Sequence, residues 1–187
     1  MHTSRTTRNT LVFGQIRNVR GIRVGIAGLN SAWSAGEENQ KGSLWLGGHW
    51  RIQHVRPEFE DTRFNIALMH HAPGWFTDSE TPALEQELPE HFHFLLHGHE
   101  HWDRVTPMDV HTHIHTRIAA GACYGSSTQE SGYNIVRLNP DKGTGEVWLR
   151  EYDERGGVWV SKIVHGRTGG EPKGVWRLAV NCSRKDG

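Results

Sequence analysis

Leu95-Leu96-His97-Gly98-His99-Glu100-His101-Trp102-Asp103 decides how this chain is read. An apolar run (Phe92, Phe94, Leu95, Leu96) enters a turn that carries three histidines at alternate positions. Such a run has the pattern of a strand buried on both faces, as in a parallel sheet. Gly98 gives the chain freedom to turn where that strand ends. Ligands of open α/β sheets lie beyond the carboxyl ends of strands, so histidines placed there point to a site. An upstream stretch repeats the pattern, with Phe64-Asn65-Ile66-Ala67-Leu68-Met69 running into His70-His71-Ala72-Pro73. Two strands that each end in histidine form a candidate metal site.

Outward from these strands, residues 21–28 alternate like a strand and end in the polar turn Leu29-Asn30-Ser31-Ala32-Trp33. Asn30 reads as a turn residue. Residues 34–43 read as a loop. Residues 44–59 read as a helix with Trp45, Ile52, Val55 and Phe59 loosely on one face, against the resistance of Gly47-Gly48 and Pro57. After the loop 70–81, Pro82 suits a first helical turn with Thr81 as its cap. Leu84, Leu88 and Phe92 then share a face, and Pro89 is expected to end the helix.

Downstream the pattern changes to short strands and turns. His111, His113 and His115 alternate with Thr112, Ile114 and Thr116, which puts the three imidazoles on one strand face. A solvated face is the simpler reading of that alternation. His91 and His93 read as surface residues. Residues 118–125 are a run of small side chains, and 133–138 with 146–152 read as a hairpin around Asn139-Pro140-Asp141-Lys142-Gly143. Residues 158–164 add a strand. No internal repeat is visible. Residues 1–15 lack periodicity and read as a disordered leader, while 166–187 read as a flexible basic tail with at most a weak strand over 175–180.

Composition narrows the classes. The formal net charge is zero, so the balance of charge offers no specific nucleic-acid signal. Arg5, Arg8, Arg17, Arg20 and Arg23 precede any acid, but read as a solvated leader and first strand rather than a nucleic-acid arm. Nothing approaches the roughly 20 apolar residues of a membrane span. Cys123 and Cys182 form neither a C-x-x-C pair nor a disulfide framework, and no signal peptide is apparent, so a cytoplasmic protein is expected. Histidine is the outlier: 14 residues, eight of them from His91 to His115.

The blocks Leu68-Met69-His70-His71-Ala72-Pro73 and Leu96-His97-Gly98-His99-Glu100-His101 resemble the last two metal-binding blocks of the calcineurin-like metallophosphoesterases. Gly28-Leu29-Asn30-Ser31-Ala32-Trp33, Ala120-Gly121-Ala122-Cys123-Tyr124 and Gly132-Tyr133-Asn134-Ile135-Val136 also look like bacterial members. The resemblance covers roughly residues 16–160. It implies an α/β fold that is the C-terminal part of a two-sheet β-sandwich with flanking helices, N-terminally truncated, with a partial phosphoesterase domain over 16–165. The family's D-x-H, G-D-x-x-D and G-N-H-D/E blocks have no counterpart upstream of His70, where Asp61 is the first aspartate.

By that resemblance His70 and His99 bind one metal and His101 a second, both divalent (Mn, Fe or Zn). His71 would then stand behind the ligands or face the substrate. From the residues themselves, His97 reads as standing behind the ligands or as a strand-end histidine, and Asp103 as an exposed turn acid that could instead hydrogen-bond a ligating imidazole. A metal-bound hydroxide would hydrolyse a phosphomonoester or phosphodiester. The catalytic acid for the leaving group has no identified residue here. The missing blocks imply a complementing N-terminal chain or self-association, with poor solubility alone, because an apolar sheet face would stay uncovered. The competing reading is a non-catalytic metal-binding half-domain. A metallo-β-lactamase motif is excluded by Arg104 where its last histidine belongs, and a cupin by the helix–strand alternation upstream.

Overall fold

The computed structural model describes residues 6–8, 11–36, 40–59, 61–123 and 131–180. The first five residues of the expected leader, Glu37 and Glu38 of the expected loop, and Tyr124 and Gly125 of the small-residue run lie outside the described residues. So does the tail from residue 181, with Cys182. The chain has a mixed α/β fold with two sheets and few helices. The larger sheet has the order β1-β2-β3-β4-β5-β7-β6. Its strands are β1 (Thr6–Arg8), β2 (Val12–Val19), β3 (Ile22–Leu29), β4 (Phe64–Met69), β5 (Phe94–His97), β6 (Arg104–Asp109) and β7 (Ile114–Ala119). The centre, β3-β4-β5-β7, is parallel. The smaller sheet is built on β9 (Thr144–Asp153), with β8 (Gly132–Asn139), β10 (Val158–Ser161) and β11 (Val175–Ala179) all antiparallel to it.

Each face of the larger sheet has its own core. Leu29, Ala67, Met69 and Leu95 pack against helices α1 (Gly48–Val55) and α2 (Thr81–His91) through Ile52, Val55, Leu84 and Leu88. On the opposite face, Val24, Phe64, Phe94 and Ile118 pack with Val147, Leu149, Leu178 and Val180 of the smaller sheet and its end. Burial on both sides explains why β4 and β5 read as continuous apolar runs. Cover on the second face is partial. Val19 and Ile135 keep 54% and 56% of their surface exposed. A cavity of about 700 Å³ lies between them, lined also by Ile22, Ile26 and Ile66.

Several expectations are corrected. Residues 12–15, assigned to the leader, are the first half of β2, which pairs with β3 across the two-residue turn Arg20-Gly21. Both turn residues are left-handed (φ 54° and 84°), as a tight hairpin of this hand requires. Phe13 lies over Gly28, where a Cβ would overlap its ring. The described part of the expected tail carries a strand: β11 buries Val175 and Leu178 against β9. β6 was not anticipated.

The first helix is shorter than expected. Gly47 takes a left-handed φ of 68° and α1 begins after it, passing into a 3-10 turn over Arg56–Phe59. The Glu80 carboxylate accepts the backbone N–H groups of Leu46 (3.2 Å) and Gly48 (3.0 Å), placing an acid at the N-terminus of α1. Helix α2 continues through Pro89 to His91. Thr81 is inside it and turns its hydroxyl to Pro73 O and Phe76 O instead of capping. Among the described residues no helix is long and apolar enough to cross a membrane.

The second histidine cluster is not a solvated face. His115, in β7, is fully buried, and His113, just before that strand, is nearly so. His111 is exposed. Phe92 O accepts the Nδ1–H of His115 at 2.6 Å and the Nε2–H of His113 at 3.3 Å. His93, its ring 4.3 Å from that of His113, accepts the Asn65 N–H on Nδ1 at 3.1 Å. Burial, then the proximity of His113, His115 and Arg63, pushes the His93 pKa down to about 3. Burial first, with Arg117 and His113 adding to it, pushes His115 down to about 4. Both imidazoles are therefore neutral in the fold.

The unfolded chain protonates these rings near pH 6.5, so it binds more protons than the folded chain below that pH. Stability is full above about pH 6.5 and is lost as the pH falls toward 4. Tm measured between pH 7.5 and 4.5 is expected to drop across this window, and His115→Gln is expected to flatten the drop.

Candidate metal centre

Parallel pairing in register places Met69 beside His97, so β4 and β5 end level. The two loops that leave them are tied by Gly98 N–H to His70 O at 3.1 Å. The left-handed positions in the second loop fall on His99 (φ 66°) and His101 (φ 56°), not on Gly98 as the sequence suggests. Non-glycine residues held there carry local strain, a common feature of functional loops.

His70, His71 and His99 converge so that one ring nitrogen from each lies within 4.8 Å of the others. His99 Nδ1 and His70 Nε2 are 3.2 Å apart. Their rings meet edge to face, and the His71 ring lies 4.3 Å from that of His99. Ser31, 1% exposed at the turn after β3, organises the pair from beneath. Its Oγ accepts the backbone N–H groups of His70 and His71, both at 3.0 Å, and contacts His71 Nδ1 at 3.1 Å. That contact orients the His71 ring and leaves Nε2 for another partner. Trp75, in the 3-10 turn Pro73–Trp75, stands edge-on to His99 at 4.1 Å and donates Nε1–H to Glu100 at 3.4 Å.

Burial, then the proximity of His99 and His70, lowers the His71 pKa to about 4 against a small upward pull from Ser31. Burial, then His70 and His101, lowers His99. Neutral imidazoles present lone pairs, which is the state that binds metal. The donor set fits one divalent ion with an open position. It does not fit two, since among the described residues no carboxylate joins the group to offset the repulsion between cations.

Of the residues expected from sequence, the structure brings His70 and His99 together with His71. His101 is exposed and outside the group of three. His97 is buried, donates Nδ1–H to Gly98 O at 3.3 Å and has its pKa lowered by burial. It also lines a cavity of about 480 Å³ with Asn30, Met69, His70 and Leu96. Asn30 behaves as the expected turn residue, its Oδ1 accepting Ala32 N–H at 3.2 Å.

Asp103 is corrected: its side chain is 1% exposed, not an exposed turn acid. Its oxygens hold Gly121 N–H at 2.7 Å and Lys162 at 3.2 Å, contacts that join the two sheets rather than orient an imidazole. Sequence reasoning missed the roles of Ser31 and Trp75. Ser31 lies in a turn that the sequence singles out, but nothing local shows that the turn sits beneath His70.

No protein-family model matches the chain, and no curated protein matches it. The crystal structure of a hypothetical protein from Thermus thermophilus is similar at 11% identity, with a TM-score of 0.39, over 91% of this chain. The matched part is 62% of that protein, so the chain spans less than two thirds of its length.

Replacing Asp103 with Ala strips the part-buried Gly121 N–H of its acceptor and Lys162 of its carboxylate. A loss of about 1–3 kcal/mol is expected from urea unfolding.

Proposed function

We propose that this protein is a metal-dependent hydrolase of phosphate esters, built as the C-terminal part of a two-sheet phosphoesterase sandwich with flanking helices. The observation that carries the reading is the convergence of His70, His71 and His99 at the level carboxyl ends of β4 and β5. Ligand sites of parallel sheets lie at such ends. The choice of phosphate esters as substrate rests on the resemblance of the two histidine blocks.

A divalent ion bound there supplies Lewis acidity toward a phosphoryl oxygen and lowers the pKa of water. The chain's own residues do the rest. Ring nitrogens of His70, His71 and His99 supply the lone pairs, and Ser31 sets the angle of the His71 ring. Trp75 walls one side of His99. The 480 Å³ cavity beside His70 offers room for the organic part of an ester. His101 is exposed one residue beyond Glu100, outside the group of three.

The second reading is a non-catalytic metal-binding half-domain that works with a complementing chain or by self-association. It is favoured by the partly open apolar face around Val19, Ile66 and Ile135.

Bis(p-nitrophenyl) phosphate and p-nitrophenyl phosphate, assayed with metal-loaded and chelator-stripped protein, separate the two readings. Hydrolysis by the loaded form, abolished by the chelator and by His70→Ala, is the expected result. Metal binding with no turnover above the stripped protein would leave the second reading in place.

A further inference from the structure

The histidine centre differs in number and kind of ligand from the two-metal site that the resemblance of the histidine blocks implies. Resting on the metal reading above, we infer that the centre is mononuclear, with His70, His71 and His99 as an all-nitrogen ligand set and His101 outside it. It would therefore take a borderline ion such as Zn, Cu or Ni in preference to Mn.

Three observations carry this. First, His70 Nε2 and His99 Nδ1 are 3.2 Å apart. Two ligands of one tetrahedral ion, each about 2.0–2.1 Å from it, lie about 3.3–3.4 Å from one another. The pair is therefore already spaced to share an ion. Second, the third nitrogen within reach belongs to His71, whose ring is held by Ser31 and is 5% exposed, so little freedom is lost on binding. Third, the set contains imidazole and no carboxylate among the described residues. Imidazole suits Zn, Cu and Ni, whereas Mn is better served by oxygen ligands. Three imidazoles and an open fourth position are also the pattern of one kind of catalytic zinc site.

A shared proton between His70 and His99, with no metal, would also bring their nitrogens to hydrogen-bond distance, so the test must read metal directly. Metal content per chain is measured after loading separately with Zn, Co and Mn and dialysing extensively. The Co(II)-loaded protein is examined by visible absorption, which is intense for four-coordinate and weak for six-coordinate cobalt. The same measurements are made on His71→Ala, His71→Phe and His101→Ala, each checked for native circular dichroism.

One Zn or Co per chain, little retained Mn and an intense cobalt spectrum are expected. Binding should be lost in the folded His71 variants and kept in His101→Ala. Two ions per chain would overturn the inference, as would retention in the His71 variants with loss in His101→Ala, or a weak cobalt spectrum. Those outcomes would leave the hydrolase reading standing. Absence of any bound ion would overturn both, whereas one ion without turnover would overturn only the hydrolase reading. Should both His71 variants fail to fold, the stoichiometry, metal preference and cobalt spectrum of the unmodified chain still decide the matter.

Discussion

The structure depends on the register in which β4 and β5 pair. Ile66 faces Phe94 and Met69 faces His97, so the two strands finish at the same height. A slip of one residue would turn every side chain of a strand to the other face. Ala67 and Met69 would leave the helix-side core, and the two histidine loops would no longer meet. Burial of both sheet faces holds this register, because each face has its own apolar cluster. The histidine group is thus positioned by packing beneath it, with Gly98 N–H to His70 O as a direct tie between the loops.

The two ends of the same strands use histidine in opposite ways. At the amino end, His93, His113 and His115 are held by the Asn65 amide and by Phe92 O. At the carboxyl end, His70 and His99 turn nitrogens toward each other instead of toward backbone. The amino-end cluster is tied to the backbone through one nitrogen of each ring, although the buried His115 Nε2 finds no partner among the described residues. Ring nitrogens that face one another rather than the backbone can be bridged by a proton or by a cation. The low pKa values shared by both clusters do not separate them, since burial lowers imidazoles in either setting.

The smaller sheet is joined to the larger by more than apolar contact. Asp103, leaving the histidine loop, binds the Gly121 amide and reaches Lys162 beyond β10. Added Cβ atoms at Gly121 or Gly132 would fall within 3 Å of its carboxylate. The two glycines are therefore what lets the backbone close around a buried acid. Through this contact the packing of the second sheet bears on the loop that carries His99 and His101.

Local pattern determined much of this. Continuous apolar runs marked β4 and β5 and, with the histidines that follow, the location of the site, because strand burial and strand ends are written in neighbouring residues. Leu84, Leu88 and Phe92 likewise marked the face of α2. Tertiary structure alone decided three things. It made β2 and β11 part of the sheets, since antiparallel partners supply the pairing that weak local patterns lack. It buried His113 and His115, because alternation says which side chains share a face but not whether that face is covered. And it set His71 rather than His101 beside His70 and His99, because a ring's direction follows from loop dihedrals and from Ser31, 40 residues away in the chain. Spacing along a sequence carries no information about either.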